Sequence, residues 1–292
     1  MSHKTKLSIA ALLIVIVGSA VYVYKDDVER FLSDLPSAES VLDKTISAIP
    51  IGEVERKVIT AEPLRAKVDS PSSFLTIQGI IASTNNERAK LALTPLKENT
   101  RLKAAAQAKV RDMFTGQYFD HVSPVGEGPA DFVEGANYQY ILIGENLALG
   151  NFENDRTLVE AWMNSPGHRA NIVHTRYTEI GVYVERGVYE GQSVWMAVQE
   201  FGAPLSSCPS VDYGIRSRTE SNQAQLDAWE AELEERKQDI NNTHPKFGPV
   251  YEQKVDEYNE LAAKYNALVE ETRELIRQYN ESVNNFNACV AG

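Results

Sequence analysis

Cysteine is scarce in this chain: Cys208 and Cys289 are the only two in 292 residues. No CxxC pair and no Cys/His spacing of the kind a structural zinc site needs is present, which excludes a zinc-stapled module. Histidine is also sparse, with His3, His121, His168, His174 and His244. Basic runs are missing beyond isolated pairs such as Arg236-Lys237. The formal net charge is −12, which argues against nucleic acid and against an anionic membrane surface as partners. A Gly-x-Ser-x-Gly nucleophile elbow is absent too. Ser123 lies two residues after His121 and Ser165 three before His168, but each precedes a proline, where turn formation accounts for it.

What is there bounds the architecture. The length suits about two domains, and hydrophobic residues make up 43% of the chain, enough for a sizeable core. Leu7 to Tyr24 is an uncharged stretch of 18 residues, preceded by Lys4 and Lys6 and followed by Lys25-Asp26-Asp27. It reads as a membrane-spanning signal anchor over residues 1–25, with the flanking lysines inside and the rest of the chain outside. Tyr22 and Tyr24 sit where an interfacial aromatic belt would lie. The competing reading is a signal peptide cleaved near Gly18-Ser19-Ala20, which leaves a secreted protein. Residues 26–73 show no strong period and are broken by Pro36, Pro50, Pro63 and Pro71. They read as a tether with one short helix around Ala38–Ala48.

From Phe74 the patterns sharpen. Phe74, Ile77, Ile80 and Ile81 keep helical spacing through Arg88. Asn99 to Phe114 is a second helix, with Leu102, Ala105, Ala106, Lys109, Val110 and Met113 on one stripe, and Thr157 to Asn164 is a third that stops before Pro166. Residues 179–185 and 193–201 are β-rich runs. The segment 186–192, with Gly187 and Gly191, reads as the turn of a β-hairpin. Helices packed on an antiparallel sheet give an α+β domain.

Three short polar breaks within 121–168 hold the residues with chemistry: His121-Val122-Ser123-Pro124, Gly144-Glu145-Asn146 and Asn164-Ser165-Pro166-Gly167-His168. Loops present side chains that a core would have to bury, so these breaks read as a site. Two neutral imidazoles, His121 and His168, with the carboxylate of Glu145 would suit a divalent metal such as zinc with an open water position. Without metal, a His–Glu pair can orient and charge an imidazole for acid–base work. The plainer reading is structural, with Glu145 accepting backbone N–H groups and His168 packing the Pro166-Gly167 turn. Glu160 and Glu179 read as exposed helix and strand-edge charges, Asn146 as a hydrogen-bonded tie, and Trp162 and Trp195 as core.

These segments resemble a known family in its order. Thr84 through Arg88, Leu93-Thr94-Pro95-Leu96, Tyr118 through Pro124, Gly144-Glu145-Asn146-Leu147-Ala148, Trp162 through Arg169 and Tyr177 through Val182 look like the bacterial, secreted form of the CAP superfamily (cysteine-rich secretory proteins, antigen 5, pathogenesis-related proteins; SCP-like domain). The resemblance covers residues 74–202 and implies an α-β-α sandwich. Complete family sites present two His and two Glu in a central cleft, and His121 and Glu145 match the first His and the Glu of the GEN motif. Two positions depart: Ser165 stands where other members carry the second Glu, and Arg176 precedes Tyr177-Thr178-Glu179 where they carry the second His. His168 is the bacterial-type histidine of the set.

Beyond the domain at 74–205, residues 206–292 turn rich in Glu, Gln, Asn, Lys and Ala, and from residue 209 they carry −7 of the net charge. Tyr251, Val255, Tyr258, Ala262, Tyr265, Val269, Thr272, Ile276, Tyr279, Val283 and Phe286 keep 4-3 spacing, as Ile215 to Ile240 do more weakly. Sustained heptads argue a coiled coil. The Asn, Pro and Gly of residues 241–249 allow a reversal, hence an antiparallel helical hairpin. With the turn near His244–Lys246, Cys289 lies roughly 15 Å past the start of the first helix, by 1.5 Å per residue. Residues 208–212 can cover roughly 13 Å. Cys208 and Cys289 are therefore expected to bond in an oxidising compartment, clamping hairpin to sandwich. The tyrosine seam equally suits a homodimer.

The sum is an envelope-anchored, extracytoplasmic protein whose cleft of His121, Glu145 and His168 binds a cell-wall, lipid or protein ligand. Two alternatives stand beside it: a metal-assisted hydrolase of peptide or wall material, and a structural spacer that assembles through its coiled coil.

Overall fold

The computed structural model describes residues 54–67 and 69–292. The expected anchor over residues 1–25 and the short helix around Ala38–Ala48 lie outside the described residues. Among the described residues no helix is long and apolar enough to cross a membrane. The described chain forms two compact units: residues 211–285, and residues up to Ser210 together with Phe286–Gly292.

The second unit is built on one mixed sheet. Its strands are β1 (Lys57–Thr60), β2 (Leu64–Arg65), β3 (Lys97–Glu98), β4 (Tyr140–Leu149), β5 (Glu179–Tyr189) and β6 (Gln192–Pro204). The order is β1-β4-β6-β5-β3, with β2 also on β4. β4 and β5 flank β6 antiparallel, whereas β1 and β2 lie parallel to β4, and β3 lies parallel to β5. Helices α1 (Ile77–Ala89), α2 (Thr100–Gly116), α3 (Pro129–Gly135), α4 (Asp155–Met163) and α5 (Pro166–Ile172) cover the sheet.

Strand alternation divides the core into two layers. Ile80, Ile81, Leu158, Val159, Trp162 and Ile172 of α1, α4 and α5 pack with Ala148, Ile180, Val182 and Phe201. On the other face Ala106, Val110 and Met113 of α2 meet Leu147, Leu149, Met196 and Val198, and Leu102 and Ala105 meet Val133 of α3 and Ile143. The result is the α-β-α arrangement expected.

Several details differ from the sequence reading. α1 begins at Ile77 rather than Phe74, because Thr76 caps it: the Thr76 hydroxyl accepts from Gly79 N–H at 3.0 Å, and Asp155 in turn accepts from Thr76 N–H and hydroxyl. Phe74 is left 66% exposed, edge-on to a half-buried Trp195. The hairpin turn is only Glu190-Gly191, both at positive φ (50° and 80°), with Tyr189 paired to Gln192, so residues 186–189 are strand. Gly144-Glu145-Asn146 is no loop; it is the middle of β4, buried throughout. Residues 57–65, expected as tether, form β1 and β2 on the sheet edge.

A buried arginine joins α1 to the stretch before β5. The Arg88 guanidinium donates to the carbonyls of Thr94 (3.0 Å), Ile172 (2.8 Å), His174 (2.9 Å) and Tyr177 (3.4 Å). Cys208 and Cys289, both in this unit, form a disulfide with Cα atoms 5.7 Å apart. Arg176, the position that departs from the family histidine, donates to the Cys289 carbonyl at 3.1 Å.

The other unit consists of α6 (Tyr213–Asn242) and most of α7 (Pro249–Ala291). Leu226, Leu233 and Ile240 share one apolar cluster with Tyr251, Val255, Tyr258, Ala262, Tyr265 and Val269. Polar pairs beside it run in opposite chain directions: Arg218–Glu271 (3.0 Å), Asn222–Thr272 (3.2 Å), Arg236–Glu257 (3.6 Å) and Asp239–Lys254 (2.8 Å). Asp212 caps α6 by accepting from Gly214 and Ile215 N–H.

Candidate functional site

β4 sets the site. Its residues alternate between faces, so Glu145 points with Ile143 and Leu147 toward α2, while Gly144 and Asn146 point toward α5. Directly opposite Glu145 in β6 stands Glu200. Both are fully buried. Burial, then the charge of Glu145, pushes the Glu200 carboxyl well above the usual range, which favours its protonated form opposite Glu145.

α2 supplies a buried cation. Lys109 sits on the apolar stripe because its ammonium has polar partners: it donates to the His121 carbonyl at 2.7 Å and to the Tyr118 hydroxyl at 3.1 Å. Burial lowers its pKa, against the pull of Glu145 and neighbouring acids. This anchors the loop after α2 and sets His121 over Glu145.

The His121 ring is held at both ends. Nδ1 meets Glu145 Oε1 at 2.6 Å, and Nε2 meets the Ala61 carbonyl. A carbonyl and a carboxylate only accept, so both ring nitrogens must donate, and His121 is an imidazolium. Burial opposes that charge, but the hydrogen bond and charge of Glu145 and the Ala61 carbonyl outweigh it and raise the pKa.

His168 approaches from α5 and hydrogen-bonds to neither residue. Its Nδ1 pairs with Ser165 Oγ at 2.8 Å, and Nε2 is buried with no partner among the described residues. Burial, then the charge of His121, lowers its pKa to about 4, so it is neutral. Among the described residues no acid bonds the ring, so Ser165 and His168 are a pair and not a triad. Ser123 closes a turn, accepting from Glu127 N–H at 3.0 Å. Asn146 ties β4 to α5 by donating to the His168 carbonyl (3.2 Å) and to Gln199 (3.1 Å). Glu160 is an exposed partner of Arg156, whereas Glu179 accepts from Tyr138 and Asn99.

The expected trio is therefore one contact pair and one neighbour, buried at 8%, 0% and 1% exposure instead of lining an open cleft. As arranged they do not fit a zinc ion. An imidazolium has no lone pair to give, Nε2 of His168 is the one ring nitrogen of the trio without a partner, and among the described residues no three His, Cys, Asp or Glu gather as a metal would need. Sequence reasoning missed Glu200, Lys109 and Ala61. A lysine on a core stripe was the available signal, since a buried ammonium requires acidic or carbonyl partners. Beside Ser165 lies a cavity of about 440 Å³ lined also by Arg65, Lys67, Phe152, Thr157 and Ala161.

Comparison with known proteins adds the following. A family model described as the cysteine-rich secretory protein family, CAP, matches residues 81–201. The uncharacterized protein YkwD of Bacillus subtilis (strain 168) is 40% identical over 138 residues, 47% of this chain and 51% of that protein. The uncharacterized membrane protein YlbC of the same organism is 28% identical over 172 residues, 58% of this chain and 48% of that protein. The chain thus spans about half the length of the curated relatives it matches. Among solved structures, an extracellular protein containing a SCP domain from Bacillus anthracis str. Ames is 28% identical, with a TM-score of 0.38 over 43% of this chain and 39% of that one. An outer surface protein from Borrelia burgdorferi is 22% identical, with a TM-score of 0.37 over 44% of this chain and 91% of that one.

Proposed function

The central domain of this chain belongs to the CAP superfamily, in its bacterial branch, and on that footing we propose that it is the ligand-binding part of an extracytoplasmic, envelope-anchored protein. The ligand is held at His121, with Glu145 behind it and His168 beside it. The observation that carries this reading is the His121 ring: a charged donor, buried and backed by a carboxylate, already grips a peptide carbonyl. A donor of that kind selects an uncharged acceptor on its ligand and is strengthened by exclusion of water. The disulfide supports an oxidising compartment. The C-terminal helices, read as an antiparallel coiled-coil hairpin, would join the protein to a second copy. No step through a metal belongs to this reading, and neither does a serine nucleophile.

Cosedimentation of the purified full chain with isolated cell-wall sacculi, and with net-neutral phosphatidylcholine vesicles, tests it. Binding to one of them that weakens at least about tenfold in Glu145→Gln is the expected result, the size of one lost charge-assisted hydrogen bond. Equal binding by the variant would take the His121–Glu145 pair out of ligand recognition.

A further inference from the structure

The segment that covers His121 does not belong to the family-matched span 81–201. It is the strap from Lys57 to Arg65, and it is bound as proteins bind extended peptides. Its two pieces add to the free edge of β4 through main-chain ladders, Lys57 to Thr60 opposite Leu142 to Glu145, and Leu64-Arg65 opposite Ala148-Leu149. Ala66 N–H continues the second ladder to the Leu149 carbonyl at 2.9 Å. Most of its side chains face solvent, with Ile59 and Leu64 half-buried against the core, Pro63 half-buried and Ala61 alone buried.

At the end of the first ladder and just past it, the strap turns its main chain into the site. The Ala61 carbonyl accepts from His121 Nε2, and the Ile59 carbonyl accepts from Asn171 Nδ2 at 3.3 Å. The Ala61 methyl faces Gly167 closely enough that a Cβ on Gly167 would stand 2.8 Å from it. The socket therefore has a main-chain acceptor position and a side-chain position that takes nothing larger than a methyl group. A ladder reads backbone and the pockets between its rungs read side chains, the rule of strand addition at a sheet edge.

We propose that the β4 edge with His121 is a binding site for an extended peptide of another protein, occupied in this structure by the chain's own strap as a displaceable stand-in. The ligand carries Gly or Ala at the position of Ala61, an apolar residue two places before it and another three places after it. This rests on the reading that His121 is the ligand-holding group. It also explains why the His121 ring is covered: the strap supplies the carbonyl that a ligand would bring.

The test uses the full chain and, as probe, a fluorescent synthetic peptide with the sequence of residues 55–66. In the wild type, an attached strap competes at high effective concentration. Ala61→Leu cannot seat its side chain against Gly167 and frees the edge. Probe should bind Ala61→Leu at least about tenfold tighter than wild type, by the loss of that intramolecular competition. Binding should fall again when His121→Ala is added, and a probe with Leu at the Ala61 position should bind neither protein. Hydrogen exchange on the unmodified chain needs no variant. Amides 57–66 should exchange at least about a hundredfold faster than those of β6, because a displaceable segment opens sub-globally. Strap amides that exchange only with the core overturn the proposal, as does an open Ala61→Leu protein that ignores the probe or binds it regardless of His121. A dimer held by exchanged straps, with no probe uptake, overturns it in favour of a second copy as occupant. Probe binding together with a negative sacculus and vesicle experiment removes those ligands alone and leaves the peptide site standing.

Discussion

Glu145 and Glu200 stand opposite each other, both fully buried, and two carboxylates so placed cannot both ionise. Glu200 carries the proton, and its raised pKa has a defined consequence. Above the ordinary glutamate value the unfolded chain loses that proton and the folded one keeps it, so stability falls as pH rises. Glu200→Gln keeps the shape and a donor toward Glu145 while removing this penalty. Urea unfolding at pH 8 should therefore find it more stable than wild type by about 1 kcal/mol or more, with the gain gone at pH 4. A less stable Glu200→Gln at pH 8 would show that the pair is ionised. Glu145→Gln strands the imidazolium of His121 and should cost about 3–5 kcal/mol, as broken buried pairs do, with a lowered His121 titration by NMR. His168 acts in the acid range. Its pKa is about 4 when folded against an ordinary value of 6.5, so unfolded chains take up protons first and stability drains away as pH falls from 6.5 toward 4. In His168→Gln that acid limb should flatten. His121 works in the opposite sense, its raised pKa contributing stability that fades as pH rises through it. His121 and Glu145 were legible as a pair because both lie in motifs. Glu200 was not, since its run of β-forming neighbours marks a buried strand and says nothing of which strand faces it.

Among elements, helices with a clear apolar stripe were legible to within a few residues, because period and cap agree. α2 begins where Asn99 accepts from Arg101 and Leu102 N–H. Asn99→Ala should cost about 1 kcal/mol in thermal or urea unfolding, the usual worth of such a cap. Arg88→Met should cost more, at least about 3 kcal/mol, because it leaves buried carbonyls from Thr94 to Tyr177 without donors. An Arg88→Met protein as stable as wild type would mean that water replaces the guanidinium. The edge strands were illegible: four residues and two residues, parted by Ala61-Glu62-Pro63, show no period to read. The centre of β4 misled for another reason. Gly, Glu and Asn usually mark a break, and here they are buried polar residues whose partners come from α5, β6 and the loop after α2.

For the whole molecule, composition and the cysteine positions carried the reading furthest. Cys208 and Cys289 do bond, although the strap that sequence assigned to a tether is part of the sheet unit. Closing a loop with a sequence separation of 81 is worth about 4 kcal/mol in the chain-entropy model. The double variant Cys208→Ser/Cys289→Ser should lose up to that amount, read as an earlier unfolding transition that reductant no longer shifts.

The same bond makes residues 208 to 289 a covalent ring, with the connector between Asn242 and Pro249 as one arc of it. A single cut there opens the ring without parting the molecule. Trypsin acting at Lys246, beside the exposed Phe247, should yield a species that migrates as one chain on a denaturing gel and as two once reductant is added. A chain built this way keeps the residues beyond the nick, which an open chain would shed, for as long as its surroundings stay oxidising.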